Sequence, residues 1–280
     1  MGLADTITEL FSQGSAASKD AAKQAFTELR TELAAGRIRA AEPDASSPTG
    51  WRVNAWVKRG ILLGFRVGDV VDMGIGKGRW PFFDKDTLPL KSFAMTNGVR
   101  LVPGGSAVRD GAYLGHGIIC MPPMYINVGA YVGDDSLVDS HALVGACAQI
   151  GQRVHLSAAA QIGGVIEPVG DMPVIVEDDV LVGGNCGVFE GAIVKRRAVL
   201  ASGTIITGST PIYDLPNERI ITPEPGQPLV VPEGAVVVPG SRQVTVGKGR
   251  EWGLSLATPV IVKYRDAKTD ARTELERWIR

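Results

Sequence analysis

Cysteine is scarce in this chain, with three in 280 residues. Cys120, Cys147 and Cys186 are odd in number and widely spaced, which excludes a disulfide framework and leaves no zinc spacing. An excess of one charge is also missing. Twenty-nine Lys and Arg against 30 Asp and Glu give a net charge of -1, so no basic footprint argues for nucleic acid. No uninterrupted apolar run is long enough to span a bilayer. The N-terminus lacks a basic region followed by an apolar block, so no signal peptide is expected. Together these absences lead to the expectation of a reduced, cytoplasmic protein with neither nucleic-acid nor membrane partners. What the chain has in quantity is glycine, 35 residues, and glycine here belongs to the turns of a repeat.

The repeat starts at Val108 and steps by six: Leu114, Cys120, Ile126, Val132, Val138, Val144, Ile150, Leu156 and Ile162. All are apolar. The phase breaks over Gly163 to Ile175, with eight extra residues, and resumes at Val176, Val182, Val188, Val194, Leu200, Ile206 and Ile212. The fifth place of each six is small, as at Ala112, Ala130, Ala142, Ala148 and Ala160, and the second is often glycine, as at Gly115, Gly133, Gly145 and Gly151. A period of six fits neither an α-helix nor an alternating strand; it is the signature of a hexapeptide β-helix. One short strand takes each hexad and three hexads close a triangular coil. The apolar first place is expected to point inward at the corners, and the small fifth place to let the walls approach. The second-place glycine is expected to supply a turn of positive φ. The left hand is the usual one for this pattern. The fold class expected is therefore mainly β, a left-handed parallel β-helix.

The flanks read differently. Residues 1–98 are expected to form an N-terminal helical domain. Ile7, Leu10 and Phe11 share one face; Ser18 caps a second helix that turns Ala22, Ala25, Phe26, Leu29 and Leu33 inward; and a third helix runs from Asn54 to Gly68. Residues 41–50 read as a loop, and 70–89 as irregular. The β-helix is expected over 99–240, with an inserted loop at 163–175, an exposed loop at 214–228 and a last partial coil at Val231 and Val237. Residues 241–280 are expected to cap the open end, with a strand from Pro259 to Tyr264 and a terminal helix from Asp266 to Arg280.

The inserted loop at 163–175 interrupts a regular coil, a usual place for a binding element. His116, His141 and His155 fall at the third, fourth and sixth places of their hexads, so their side chains leave in different directions and a shared metal is disfavoured. A metal-dependent hydratase of the same fold class is disfavoured with it. A single histidine is a common general base in hexapeptide acyltransferases, and spacing does not choose between His141 and His155. Asp139 stands in a second place, where glycine or Asn127 stands in other coils, and Glu190 in a third; each also reads as an ordinary surface acid. The run Lys195-Arg196-Arg197 reads as a solvated corner, or as a contact for nucleotide phosphates.

Several stretches outside the bare hexads are more specific. They include Val99-Arg100-Leu101-Val102-Pro103, Ala107-Val108-Arg109-Asp110-Gly111-Ala112-Tyr113, Asn127-Val128-Gly129-Ala130-Tyr131, Val138-Asp139, Val154-His155-Leu156-Ser157 and Ile162-Gly163-Gly164-Val165-Ile166-Glu167-Pro168. In these the chain resembles the tetrahydrodipicolinate N-succinyltransferases of the bacterial diaminopimelate and lysine pathway. The resemblance implies transfer of the succinyl group of succinyl-CoA, a co-substrate, to the amino group of ring-opened tetrahydrodipicolinate. It also implies a homotrimer with each site between neighbouring coils. It implies that Arg100 holds a substrate carboxylate and that Asp139 contacts the substrate amine and accepts its proton. Succinyl-CoA would lie along the later coils, with Ser157, Gly163 and Gly164 as its candidate contacts, and Glu190 would be a further candidate acid. The chain departs from the family pattern at His141, where the family often has Trp, and at Gly187, where some members carry an acidic residue. It also departs over Gly183 to Gly187 as a segment. Two alternatives stay open beside the succinyltransferase: an N-acyltransferase of the same fold using acetyl-CoA or a different amine, and a non-catalytic scaffold.

Overall fold

The computed structural model describes residues 2–75 and 80–266. From Ala107 to Val237 the chain winds into a left-handed parallel β-helix with three walls. The first wall holds Tyr113–Leu114, Tyr131–Val132, Gln149–Ile150, Ile175–Val176 and Ile193–Val194. The second holds Ile118–Cys120, Leu137–Val138, His155–Leu156, Leu181–Val182 and Val199–Leu200. The third holds Tyr125–Ile126, Leu143–Val144, Gln161–Ile162, Gly187–Val188 and Ile205–Ile206. Each strand pairs in parallel with the strand three hexads away, as Tyr131 does with Tyr113 and Gln149. Gln149 pairs in turn with Ile175, so the inserted loop leaves the ladder in register.

The six-residue period is a record of burial. Ile126, Val132, Val138, Val144, Ile150 and Leu156 are fully buried and share one core with the small fifth-place residues Ala142, Ala148 and Ala160. Burying each such aliphatic side chain contributes about 1.5–3 kcal/mol. Two details differ from the expectation. The inward aliphatics lie on the strands of the walls, not at corners, and the turns occupy the third and fourth places. Positive φ falls at the fourth place, at His141 (63°), Cys147 (66°), Arg153 (54°) and Ala159 (59°), and not at the second. The second-place glycines answer a different need, the close approach of the next coil. A Cβ on Gly133 would lie 2.7 Å from the carbonyl carbon of Gly151, and one on Gly183 2.6 Å from the Leu200 oxygen.

Three helices, α1 (Leu3–Ser12), α2 (Lys19–Ala34) and α3 (Ala55–Val67), build a second core. Ser18 accepts from the Ala21 N–H at the start of α2, and Ala22, Ala25, Phe26, Leu29 and Leu33 are its buried face. Gly64 lets α3 meet α2, since a Cβ there would lie 2.7 Å from the Phe26 ring. Val128 and Cys147, from turns of the coil, belong to this same core, so α3 rests on the corner between the third and first walls. The segment after α2 covers the first wall. The Arg39 guanidinium lies 3.7 Å from the centre of the Tyr131 ring, its Nε donates to Gln149 at 2.9 Å, and Ala41 packs on Ile175 and Ile193.

The connecting stretches hold more pairing than their composition suggests. Ala41–Pro43 pairs antiparallel with Trp51–Val53, and Val70–Asp72 with Phe83–Lys85. The stretch 214–228, expected as a loop, opens as the return of a hairpin in which Ile212–Asp214 pairs with Arg219–Ile221. Val231 and Val237 close the last partial coil through pairing of Val230–Val231 with Ile193–Val194 and of Val237 with Leu200. The strand that carries Val237 then runs straight on as Ala235–Gln243 and returns antiparallel as Ser255–Tyr264. A two-stranded arm thus stands where residues 241–264 were expected only to cap the coil. The expected terminal helix, Asp266 to Arg280, lies outside the described residues from 267 onward. No helix among the described residues is long and apolar enough to cross a membrane.

Candidate active site

Asp139 follows the strand Leu137–Val138 and opens the turn between the second and third walls. Its Oδ1 accepts from the Ser140 N–H at 2.7 Å, which fixes the carboxylate on the corner, and its Oδ2 lies 3.9 Å from Nε2 of His155. That approach follows from register. Leu137 pairs with His155, so the imidazole stands on the second wall one coil from Asp139. Ser157 opens the equivalent turn of the next coil, directly in line with Asp139, whose N–H donates to the Leu156 oxygen. Arg100 is on the same second wall, paired with Ile119, which pairs with Leu137. Two strand spacings, about 10 Å, therefore separate the backbones at Arg100 and Leu137. Arg100, Asp139, Ser157 and His155 thus share one wall and its edge.

The other sequence candidates gather elsewhere. Gly163, Gly164 and Glu190 line a groove of about 810 Å³ at the corner between the third and first walls. One side is the inserted loop, through Glu167, Pro168, Gly170, Asp171 and Met172. Ser47, Thr49 and Val53 from the N-terminal segment and Gly226 to Pro228 from beyond the coil complete it. Nothing in the sequence signals these last two groups, because tertiary folding alone brings them in. Glu190 is exposed, and its Oε2 accepts from the Gly208 N–H at 3.0 Å, so its carboxylate also braces the next turn. A side chain at Gly187 would have to displace the Phe189 ring, which its Cβ would meet and which itself lines the groove. Asp139 and Arg100 do not line this groove.

The remaining candidates are separated or already engaged. His116 stands at the corner between the first and second walls and His141 at the corner after Asp139. Among the described residues no group of three or more His, Cys, Asp or Glu is placed to hold a metal ion. In the basic run, Lys195 pairs with Glu177 at 2.8 Å and Arg196 with Glu233 at 2.8 Å. The three cysteines are free and buried, and burial pushes the Cys120 and Cys147 thiols up to about 12.

Known proteins match along most of the chain. Residues 2–67 match the tetrahydrodipicolinate N-succinyltransferase N-terminal family, and residues 173–208 the hexapeptide repeat of succinyl-transferase. A 2,3,4,5-tetrahydropyridine-2,6-dicarboxylate N-succinyltransferase from Polynucleobacter asymbioticus is 41% identical over 252 residues, covering 89% of this chain and 86% of the relative. One of the same name from Rhodopseudomonas palustris is 39% identical over 272 residues, covering 95% of this chain and 92% of the relative. Among solved structures, a hexapeptide-repeat acetyltransferase from Vibrio cholerae in complex with acetyl coenzyme A is 18% identical, with a TM-score of 0.32 over 54% of this chain and 72% of that one. The two sequence relatives span nearly the whole chain at about 40% identity, and on that ground the chain belongs to the 2,3,4,5-tetrahydropyridine-2,6-dicarboxylate N-succinyltransferase family.

Proposed function

We propose that this chain transfers the succinyl group of succinyl-CoA to the amino group of ring-opened tetrahydrodipicolinate, with Arg100 and Asp139 holding the acceptor. The observation that carries the reading is the alignment of Arg100, Asp139 and His155 on one wall, within a chain whose family performs this reaction. The planar fork of Arg100 suits a carboxylate. Asp139 holds the substrate ammonium and takes its proton, directly or with His155 beside it. The freed nitrogen lone pair attacks the thioester carbonyl and a C–N bond forms. The C–S bond then breaks, the nitrogen gives up its second proton to leave the amide, and the leaving thiolate takes up that proton to give CoA. Backbone N–H groups of the coil turns steady the oxyanion. Succinyl-CoA lies in the groove at Gly163 and Gly164, with Glu190 at its edge.

Asp139 and the groove stand at opposite edges of the third wall, so one chain alone does not bring donor and acceptor together. A homotrimer answers this by setting the Asp139 corner of one copy beside the groove of the next. Three reduced, buried cysteines accord with work in the cytoplasm. The Phe189 ring over Gly187 changes the groove wall where some relatives have an acid, and this favours testing a smaller acyl group. The experiment is a thiol-release assay with tetrahydrodipicolinate and either succinyl-CoA or acetyl-CoA. Faster release from succinyl-CoA is expected; preference for acetyl-CoA would move the reading to the second donor, and release from neither would remove both. Asp139→Asn should lower turnover by roughly a hundredfold or more with the fold intact, as loss of a general base does. Near-normal turnover would take that role from Asp139.

A further inference from the structure

We propose that Lys58 is a positioning residue for the acyl donor: from α3, its buried ammonium holds the inserted loop in the shape that forms one side of the groove. Lys58 is fully buried, and its Nζ donates to the backbone oxygen of Asp171 at 2.6 Å. Burying an ammonium costs heavily unless something specific is gained, and an apolar side chain of similar length would fill the same space without that cost. Burial holds this lysine below its ordinary pKa, and the groups that draw it back up are Cys147 and Asp171. Cys147 is a thiol pushed up to about 12, so it gives no anion to pair with. The cation is therefore directed at the loop, and a charge-assisted bond to a backbone carbonyl is about twice as strong as a neutral one.

The rest of the loop supports this reading. Ile166 packs on the helical core and Met172 on the small cluster around Ala41, Ile175 and Ile193. Both contacts are apolar and adjustable. The Lys58 bond is directional and falls between them, at Asp171, where the loop lines the groove. The helical unit thus has a task beyond packing on the corner between the third and first walls: through Lys58 it shapes a surface that no coil supplies.

The donor half of the proposal rests on the succinyltransferase reading above, whereas the tether does not. The test compares full-length wild type with Lys58→Met, by hydrogen exchange over residues 164–173 and by steady-state kinetics with succinyl-CoA. Loop amides should exchange about tenfold faster in the variant, the size usual for losing one charged hydrogen bond, and KM for succinyl-CoA should rise by about tenfold while kcat stays within about twofold. Lys58→Gln keeps a neutral donor, should shift both readouts the same way by less, and stands in if the methionine variant does not fold. Unchanged exchange overturns the tether. Faster exchange with an unchanged KM overturns the donor role. If the wild type released no thiol from succinyl-CoA, the functional reading would fall, and the exchange comparison would still decide the tether.

Discussion

At the scale of single residues, the coil separates two demands that both look like a preference for glycine. The second place is crowded by the next coil, whereas the fourth place is bent into positive φ. Both places should therefore favour glycine over alanine, the second strongly and the fourth only weakly. A Cβ on Gly145 would run into the backbone of Gly164, at the entrance to the inserted loop. Gly145→Ala should destabilise the protein by about 1–3 kcal/mol, the cost of overpacking. Ala159 has a φ of 59°, which costs an L-residue about 1–2 kcal/mol. The extra backbone freedom of glycine when unfolded costs roughly 0.5–1 kcal/mol, so Ala159→Gly should come out neutral to slightly stabilising. Chemical denaturation of the two variants beside the wild type checks both signs. A stable Gly145→Ala would show that the coils can spread.

At the scale of elements, α2 is tied to the chain beyond α3 by an exposed cluster. Lys19 and Lys23 reach Asp69 at 2.6 and 3.0 Å, and Lys23 reaches Asp86 at 2.6 Å. Hydrogen bonds from Lys19 and then Lys23 hold the Asp69 carboxyl down at about 2, against an ordinary 3.8. The folded state thus binds fewer protons than the unfolded state between these values. The stabilisation is complete above 3.8 and is lost as pH falls through about 2. Asp69→Asn should be slightly less stable than wild type near neutral pH, with the difference closing in acid; exposed pairs contribute little, so the gap should be small. Denaturation curves at several pH values would show it, and a gap that ignores pH would assign the effect to something other than charge.

The same elements show what was legible beforehand. The face of α2 and its Ser18 cap were readable because burial recurs at helical spacing. The coil was readable because every sixth residue meets the same interior. Val70–Asp72 and Phe83–Lys85 were not, since Val70, Val71 and Asp72 are all exposed and no alternation marks them as a strand. The arm escapes the repeat for a related reason: Ala235–Gln243 starts in the core and runs out of it, so the hexad rhythm stops after Val237 while the strand continues to Gln243. At the site, the His155–Asp139 approach was implicit in the spacing but needed the coil register to be seen. The groove needed more, because Thr49, Asp171 and Gln227 meet only after three separate parts of the chain have docked.

At the scale of the molecule, the three walls are not equivalent. The first is covered by the N-terminal segment, whose Arg39 and Ala41 lie on Tyr131, Ile175 and Ile193. The second and third present partly apolar outer columns, Leu137, His155, Leu181 and Val199 on one and Tyr125, Leu143, Gln161, Gly187 and Ile205 on the other, and Ile205 is 46% exposed. Two different apolar faces on one chain suit a head-to-tail contact, which closes as a ring when the rotation fits. In the proposed trimer, which is such a ring, the Asp139 corner of each copy would stand beside the next copy's groove. The wild type is therefore expected to sediment as a trimer. Leu143→Arg, which puts a charge in the middle of the third wall, should release monomers of unchanged circular dichroism that turn over at least about a hundredfold more slowly, because binding and positioning would then be split between molecules. A monomeric variant with full turnover would mean that donor and acceptor meet within one chain, and the groove at Gly163 would no longer be the place to look for the donor.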